Sequence, residues 1–450
     1  MPEAGLLRVG EAPPLPTGSY EAVLPRRAAA PKGWDALLIC VAVFIATAVG
    51  RVHELFPLLA PLKPTLLASL LGIALFAIHQ SGSRRIGLVR SPTTLCLLAL
   101  LAWCGLSVIG ALNQGVAFQA WVDLLATVTM SVVLAGSVRK LRDVERLTLV
   151  YFGAVALYVG VVFARIQLTG DNWRLSNLYY YDANDLAALI ASAIPLGFYF
   201  ALNRRHVSLR ILAVIGLAIL AAGLIRSGSR GGFLAAIAMG LYVLIGFTTV
   251  PARARIAGLL VIAAVVMTTA SGQYWTAMQS MLAPEQDYNT TAEGGRIKIW
   301  KRGLEYIETR PVLGVGAANF PVAEGTISPL ARNAAHGIGV RWGAAHNSFM
   351  QVAAELGLPG LMIFVAWLVS AFRSLRRAGR RPAIPRRPED DPARMAQALT
   401  ASLVGFLVAS IFLSLAYTDM LYVLVGFTVA LAKTVRLGDA RSRPRIARIR

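Results

Sequence analysis

The sequence predicts an all-α, polytopic membrane protein, and three observations support this prediction. The chain has 450 residues, of which 56% are hydrophobic and 15% charged, so it carries more apolar surface than one soluble core of this size can bury. Twelve apolar runs approach the roughly 20 residues that a helix needs to cross about 30 Å of hydrocarbon. These runs do not alternate apolar with polar residues as barrel strands do, and in lipid the backbone must then pair with itself in helices.

The predicted transmembrane helices follow one another through short connections except at one place. A loop of some seventy residues, 273–346, separates the ninth helix from the tenth, and a long loop among short ones is typically functional. In chain order the twelve runs are 35–50, 64–79, 92–112, 117–136, 147–164, 184–202, 209–225, 231–249, 256–272, 347–372, 396–416 and 419–435.

The basic residues predict that both termini lie in the cytoplasm (N-in/C-in), because short cytoplasmic loops retain Lys and Arg. With the N-terminus inside, the cytoplasmic segments hold 31 of the 44 basic residues. The net charge of +21 then reflects topology and anionic lipid headgroups, and we expect no nucleic-acid partner. The predicted organisation is a disordered cytoplasmic tail 1–33, helices 1–9 in 34–272, the periplasmic loop 273–346, helices 10–12 in 347–435 with a basic cytoplasmic loop 373–394, and a basic cytoplasmic tail 436–450.

Several classes of chemistry lack their motifs in this sequence. There is no Walker pattern, and the Gly314-Val315-Gly316 stretch neither follows a strand nor completes a dinucleotide fingerprint. We also find no serine nucleophile elbow and no cluster of histidines and carboxylates with metal-ligand spacing. Cys40, Cys96 and Cys104 lie in apolar runs and are interpreted as small hydrophobic residues. We therefore expect no cofactor and no metal.

Two arginines flank a tight polar turn on the outer side, Arg226-Ser-Gly-Ser-Arg230-Gly-Gly. An arginine at a helix N-terminus is opposed by the helix dipole, so a compensating anion is expected nearby. The N–H groups of Gly231 and Gly232 beside the Arg230 guanidinium suit a phosphate. The alternative is that Arg226 and Arg230 only extend to lipid headgroups.

The long loop carries further glycine- and arginine-rich elements, Gly294–Trp300 and Arg310–Phe320. The stretch that begins at Arg296 has amphipathic spacing, which predicts a helix lying either in the outer headgroup plane or against the bundle. The loop ends at His346, at the mouth of the tenth helix, where a neutral imidazole could accept a proton from a hydroxyl. A lone histidine with a purely structural role is the alternative.

Four of these elements, in this order, resemble the O-antigen ligase-related superfamily. They are the Asp182-Ala-Asn184-Asp185 element, the Ser229-Arg230-Gly-Gly turn, the Gly295-Arg296 and Pro311–Phe320 elements, and His346-Asn347 with Glu355-Leu-Gly. The superfamily includes lipopolysaccharide O-antigen ligases, polysaccharide polymerases and protein O-oligosaccharyltransferases. The twelve-helix plan and the long outer loop agree with the resemblance.

The resemblance implies a metal-independent membrane glycosyltransferase of the bacterial inner (cytoplasmic) membrane, with its active site facing the periplasm. It would move a glycan from an undecaprenyl-diphosphate carrier to an acceptor hydroxyl of another glycan or of lipid A-core. By this analogy Arg230 and Arg296 hold the donor diphosphate and His346 deprotonates or orients the acceptor. The candidates for further substrate contacts are Arg226, Arg174, Asn184, Asn319, Asn347 and Asp419.

The sequence leaves the acceptor open, so O-antigen ligase, O-antigen or exopolysaccharide polymerase, and protein O-oligosaccharyltransferase all remain alternatives. A different class, a transporter of polysaccharide or lipid-linked glycan, also has twelve helices. Transporters often show two similar halves and ionisable residues near the midplane. Here the long loop makes the halves unequal, and the middle of the predicted spans carries few charged residues, Asp123 among them. We therefore favour the transferase.

Overall fold

The computed structural model describes residues 33–169, 175, 181–202, 206–283, 287–334, 342–380 and 391–442. The chain divides into two units, Met1–Asp35 and Ala36–Arg450, and the predicted tail 1–33 lies, except for Gly33, outside the described residues. The described part of the second unit is helical and contains no strands. The all-α prediction is therefore confirmed.

Seventeen α-helices are described in this unit. In chain order they are α1 (Ala36–Phe44, continued by a π-helical turn to Val49), α2 (Pro64–Ile78), α3 (Pro92–Ser107), α4 (Gln114–Ser137), α5 (Leu141–Thr169), α6 (Ala183–Ala201), α7 (Val207–Ser227), α8 (Arg230–Gly246), α9 (Ala252–Thr269), α10 (Gly272–Gln279), α11 (Tyr288–Thr291), α12 (Arg296–Thr309), α13 (Phe320–Thr326), α14 (Pro329–Asn333), α15 (Ser348–Arg380), α16 (Pro392–Ser410) and α17 (Asp419–Ser442).

Each of the twelve predicted runs coincides with a helix, but the number of twelve spans is not confirmed. Among the described residues, eight helical stretches are long and apolar enough to cross a membrane, in α3, α4, α5, α6, α7, α15, α16 and α17. Helices α9 and α10 add a ninth only as a broken span, because they are bent by 107° at their junction. Helices α1, α2 and α8 are apolar but shorter. The chain is thus a multi-pass membrane protein by length and composition, and its orientation stays a prediction.

Helices α6, α16 and α17 are the most buried of the membrane-length helices described, whereas most residues of α3, α4 and α7 are partly or fully exposed. Helix α6 packs on α7, α8 and α16, and α15 packs on α3, α16 and α17. Small residues permit the closest approaches, as is usual between membrane helices. A β-carbon added at Gly232 in α8 would lie 2.7 Å from that of Ala187 in α6. The first turn of α8 is thereby fixed against α6.

The predicted eleventh helix, 396–416, is wrong at its C-terminal end. Helix α16 ends at Ser410, and residues 411–418 form a connection to α17 that we call the α16–α17 connection. Its backbone is bonded by side chains of α15: Leu415 N–H donates to Ser348 Oγ at 2.9 Å, and Ala416 N–H donates to Gln351 Oε1 at 3.3 Å. Because these side chains accept hydrogen bonds from the buried backbone, an apolar segment that is not helical can lie inside the protein.

Candidate functional site

The turn before α8 is built by two local features. Gly228 ends α7 with φ +57°, in the left-handed region that glycine tolerates. Ser229 then caps α8, since its Oγ accepts the N–H of Gly232 at 3.2 Å. This bond corrects the expectation that both glycine N–H groups face a ligand, because that of Gly232 is taken by the cap. Arg230 becomes the first residue of α8.

The Arg230 guanidinium is paired with a carboxylate that the sequence analysis did not single out. Its Nη1 donates to Oδ2 of Asp287 and, at 3.2 Å, to Oγ of Ser280, while Nη2 lies 3.4 Å from Oδ1 of Asp287. Asn289 also donates to the carboxylate, through its backbone N–H at 3.0 Å and its side-chain amide at 2.9 Å. Partial burial alone would raise the pKa of Asp287, but the hydrogen bonds from Arg230 and Asn289 outweigh it and hold the pKa below its ordinary value.

Arg296 is the first residue of α12, directly after Gly295, which has no side chain to cap the helix. Of the two alternatives for this helix, the structure favours packing on the bundle. Helix α12 contacts α15, and a β-carbon added at Gly303 would lie 2.9 Å from the sulfur of Met350. The opposite face of α12 leaves Leu304 exposed.

Arg296 and the start of α8 face the same aromatic ring. The Arg296 guanidinium carbon lies 6.0 Å from the centre of the Phe412 ring. On the α8 side, a β-carbon added at Gly231 would lie 3.3 Å from that ring. Phe412 belongs to the α16–α17 connection, so residues 65 positions apart in sequence, Arg296 and Gly231, meet at a third segment.

His346 lies at the same connection. Its backbone has φ +49°, which non-glycine residues rarely adopt, and its N–H donates to Oγ of Ser414 at 2.9 Å. The preceding residue is tied to α12, because Trp300 Nε1 donates to the carbonyl of Ala345 at 3.0 Å. Arg296 and His346 therefore both contact the α16–α17 connection. Arg230 directly precedes Gly231, which also lies against it. These are the three residues predicted to act on the substrate.

The long loop has a polar core of its own beneath α12. Arg302 donates to Glu324 through Nε at 2.9 and 3.1 Å and through Nη2 at 2.5 Å, and the Tyr306 hydroxyl donates to Glu324 at 2.8 Å. The hydrogen bond with Glu324 raises the pKa of Arg302. Burial, and then Glu324, raise the pKa of Tyr306. The charged pair is buried and bidentate, which is the strong form of such contacts.

The Arg310–Phe320 element docks on a break in α15. Gly357 has φ +70° inside that helix, and Leu358 N–H donates to the carbonyl of Pro311 at 2.8 Å. One turn earlier, Glu355 is buried and its Oε1 accepts the N–H of Phe320 at 3.2 Å. Burial raises the pKa of Tyr417, a residue of the α16–α17 connection, well above its ordinary value, and the negative charge of Glu355 raises it further. The Arg310–Phe320 element is therefore fixed to α15 and is not a tether.

Two of the predicted substrate-contact asparagines have their side-chain oxygens engaged by backbone. Asn319 is fully buried, accepting the N–H of Asn113 at 2.8 Å and donating to the carbonyls of Asn113 and Ala317. It joins the loop to the start of α4, so we give it a structural role and leave it out of the site. Asn347 Oδ1 accepts the N–H groups of Phe349 and Met350 at 2.9 and 3.0 Å and thereby caps α15.

The remaining predicted contacts are dispersed. The Arg226 guanidinium lies over the Phe163 ring at 5.6 Å, in the last turn of α7, where the helix dipole favours a cation. Asn184 is in the first turn of α6, three residues before Ala187 and so on the face that contacts α8. Asp419 accepts from Thr127 at 2.8 Å. Arg174 lies outside the described residues.

Residues 215–365 match the family model of the O-antigen ligase (Wzy_C). Over this part, about a third of its length, the chain is similar to the O-antigen ligase family. The match confirms the resemblance, and the O-antigen ligase segment contains Arg230, Arg296 and His346. It indicates a ligase- or polymerase-type glycosyltransferase that handles a lipid-linked glycan and an acceptor in general. No curated protein matches the chain.

The O-antigen ligase segment does not contain every element of the site. Helix α6 precedes it and the α16–α17 connection follows it. Within the described part of the chain, no group of three or more His, Cys, Asp or Glu side chains is placed to hold a metal ion. Metal independence remains a prediction from the resemblance.

Proposed function

We propose that this protein is a glycosyltransferase that moves a glycan from an undecaprenyl-diphosphate carrier to an acceptor hydroxyl at the periplasmic face of the inner membrane. The observation that supports the proposal most is the common position of Arg296, the first turn of α8 and His346 around the α16–α17 connection. These residues come from three parts of the O-antigen ligase segment. Two arginines and one histidine positioned around one connection suit the displacement of a lipid diphosphate.

On the donor side, the leaving diphosphate gains negative charge as its bond to the sugar breaks. Arg230 and Arg296 supply fixed positive charge where this develops, and preorganised charge of this kind is a large source of catalysis. Each arginine is the first residue of a helix, α8 or α12, where the helix dipole also favours an anion. We therefore assign both arginines to the diphosphate.

On the acceptor side, His346 acts as general base. The proton of the acceptor hydroxyl passes to the imidazole, and the hydroxyl oxygen forms a bond to the anomeric carbon. The bond from that carbon to the carrier's phosphate oxygen breaks, and its electron pair leaves on the diphosphate. Attack from the face opposite the leaving group inverts the anomeric configuration. The donor already carries the activating group, so the step as written consumes no nucleotide.

The test is the release of undecaprenyl diphosphate from a glycan-loaded carrier by the purified full-length protein, without added nucleotide or metal. We expect His346→Ala to lower kcat by about 10²- to 10⁴-fold, the usual contribution of a general base. Arg296→Ala should lose about 10²-fold or more. Lys301→Ala is the matched control, because Lys301 is an exposed cation of the same helix α12 and should keep wild-type activity.

Equal activity of all three variants and the wild type would show that the site assignment is wrong. If the folded wild-type protein releases no carrier with any donor and acceptor, the transporter becomes the better hypothesis, and flux of intact lipid-linked glycan in vesicles is then measured. Where release occurs, the product distinguishes the acceptors: a growing glycan ladder indicates a polymerase, a single transfer to lipid A-core indicates a ligase, and transfer to a polypeptide indicates an oligosaccharyltransferase.

A further inference from the structure

The α16–α17 connection (411–418) contacts the site at two points, although it lies outside the segment that matches the O-antigen ligase model. Phe412 stands between Arg296 and Gly231. Two residues later, Ser414 accepts the backbone N–H of His346 at 2.9 Å. We infer that Phe412 and Ser414 are positioning residues of the transferase, Phe412 for the Arg296 guanidinium and Ser414 for His346. This inference rests on the proposed function.

The connection is rigid enough to hold these two residues in place. Ser348, at the start of α15, donates its hydroxyl to the carbonyl of Leu413 at 2.8 Å and accepts the N–H of Leu415 at 2.9 Å. These two bonds flank Ser414 on both sides. Leu413 and Leu415 are themselves 5% exposed, and Ala416 is fully buried. The chain around Ser414 is therefore fixed to the same helix end that follows His346.

Phe412 can orient a guanidinium because a cation over an aromatic face is attracted by the ring's quadrupole at about 6 Å. A long arginine side chain otherwise samples many rotamers, and ordering it costs conformational entropy. With the ring in place, part of that ordering is completed before the donor binds. Gly231 leaves room for the ring beside the first turn of α8. The ring thus keeps the Arg296 guanidinium at the same residue that packs beside the first turn of α8.

Ser414 has a different task, because the backbone of His346 is in a conformation that is unfavourable for residues with a β-carbon. At φ +49°, in the left-handed region, the β-carbon of His346 is crowded against its own backbone. The bond from the His346 N–H to Ser414, together with that from Trp300 to the Ala345 carbonyl, stabilises this conformation. The direction of the imidazole depends on it, since the Cα–Cβ bond follows the backbone.

The experiment for Phe412 measures binding of inorganic pyrophosphate to the purified full-length protein by calorimetry, which does not require turnover. Phe412→Leu removes the ring and keeps an apolar side chain, so we expect the Kd to rise by about two- to thirtyfold. Phe412→Tyr keeps the ring and should restore most of the affinity. Adding Phe412→Leu to Arg296→Ala should produce no further loss, because residues that act through one another are not additive.

Phe364→Leu is the matched control for a merely structural loss. Phe364 is a buried ring of α15 that packs against Phe349 and Trp367. It should lower thermal stability and leave pyrophosphate affinity unchanged. If Phe412→Leu binds pyrophosphate like the wild type, or if its effect adds fully to that of Arg296→Ala, the assignment of Phe412 is overturned.

The experiment for Ser414 separates kcat from KM in the carrier-release assay. Ser414→Ala should lower kcat about tenfold, as expected for a misplaced base, and leave the donor KM unchanged. Ser414→Thr retains a hydroxyl and should restore kcat. An unchanged kcat, or a rise in KM alone, overturns this assignment. Failure of the proposed function looks different: the wild type releases no carrier, or His346→Ala and Arg296→Ala retain full activity, whatever happens at positions 412 and 414.

Discussion

Replacing Asp287 by asparagine removes the carboxylate that Arg230 holds, while keeping a side chain of the same shape. In the proposed function a donor phosphate needs the same guanidinium, and a carboxylate and a phosphate both take its planar fork. Asp287 and the donor are therefore expected to compete for Arg230. Asp287→Asn should tighten the binding of diphosphates, whether they belong to the donor or to the released carrier.

The size of this effect follows from the exposure of the pair. The side chains of Arg230 and Asp287 are 25% and 14% exposed. Exposed ion pairs contribute about 0.2–1 kcal/mol, and partial burial places this one near the upper value. A change of about 1 kcal/mol corresponds to about fivefold in an equilibrium constant. We expect the inhibition constant of inorganic pyrophosphate, measured in the carrier-release assay, to fall about fivefold. The donor KM should fall with it, and kcat should not rise.

The pH dependence of the Asp287 effect has a definite sign. The pKa of Asp287 is lowered in the folded protein, so the carboxylate is charged above about pH 4 and is neutralised only as the pH falls through the lowered value. The difference between Asp287→Asn and the wild type should be constant from about pH 5 to pH 8.

Glu293→Gln is the matched control for Asp287→Asn. It neutralises a carboxylate of the same loop that pairs with Lys298 and not with Arg230, and should leave the inhibition constant unchanged. The competition model is refuted if Asp287→Asn and wild type bind pyrophosphate equally while Arg230→Ala binds it poorly. Loss of turnover in Asp287→Asn with unchanged affinity would instead make Asp287 part of the chemistry.

Two further substitutions test the supports of the site. Glu324→Gln leaves the buried Arg302 without its countercharge, and breaking one side of such a pair costs about 3–5 kcal/mol; the thermal unfolding temperature should fall markedly. Gly357→Ala places a β-carbon 2.2 Å from the carbonyl oxygen of Val312 at a backbone φ of +70°. It should displace the Arg310–Phe320 element and abolish most carrier release.

Both substitutions have controls in the same protein. Glu305→Gln, the control for Glu324→Gln, changes an exposed carboxylate of α12. It should leave the unfolding temperature within about 2 °C of that of the wild type, because surface substitutions usually have small effects. Gly258→Ala adds a methyl group where nothing lies within 4 Å and should leave activity intact. Unchanged stability in Glu324→Gln, or wild-type activity in Gly357→Ala, would contradict the structural roles assigned here.

The helices were predictable from the sequence because lipid imposes the same demand on every span. A run such as 184–202 must pair its backbone internally, and α6 follows it within one residue at each end. Hydropathy reports composition and not the path of the chain, however. Helices α1, α2 and α8 are as apolar as the others but shorter, and α9 bends away from α10 by 107°. The count of spans therefore depends on geometry that no window of residues contains.

Arg230, Arg296 and His346 stand out in an apolar chain because few residue types suit a diphosphate or an acceptor proton, and their roles stay a prediction. Their partners were not predictable. Asp287 is 57 positions from Arg230, and no periodicity links them. Phe412 lies inside the apolar run 396–416, which predicts a helix. The structure has a buried loop there, and it can be as apolar as a span because Ser348 and Gln351 bond its backbone.

The division between recognisable and unrecognisable parts of the site has a physical origin. In the proposed function, the residues that contact the substrate are limited by its chemistry, and the two arginines and the histidine assigned to it lie within 215–365. The residues that hold these arginines and this histidine in place need only a suitable shape or a single hydrogen bond, so their residue type is less restricted. A ring at Phe412, a hydroxyl at Ser414 and a small residue at Ala187 meet these needs, and all three lie outside the matched segment. In the proposed function, residues 215–365 therefore carry the chemistry, and part of the frame that orients it lies outside this segment.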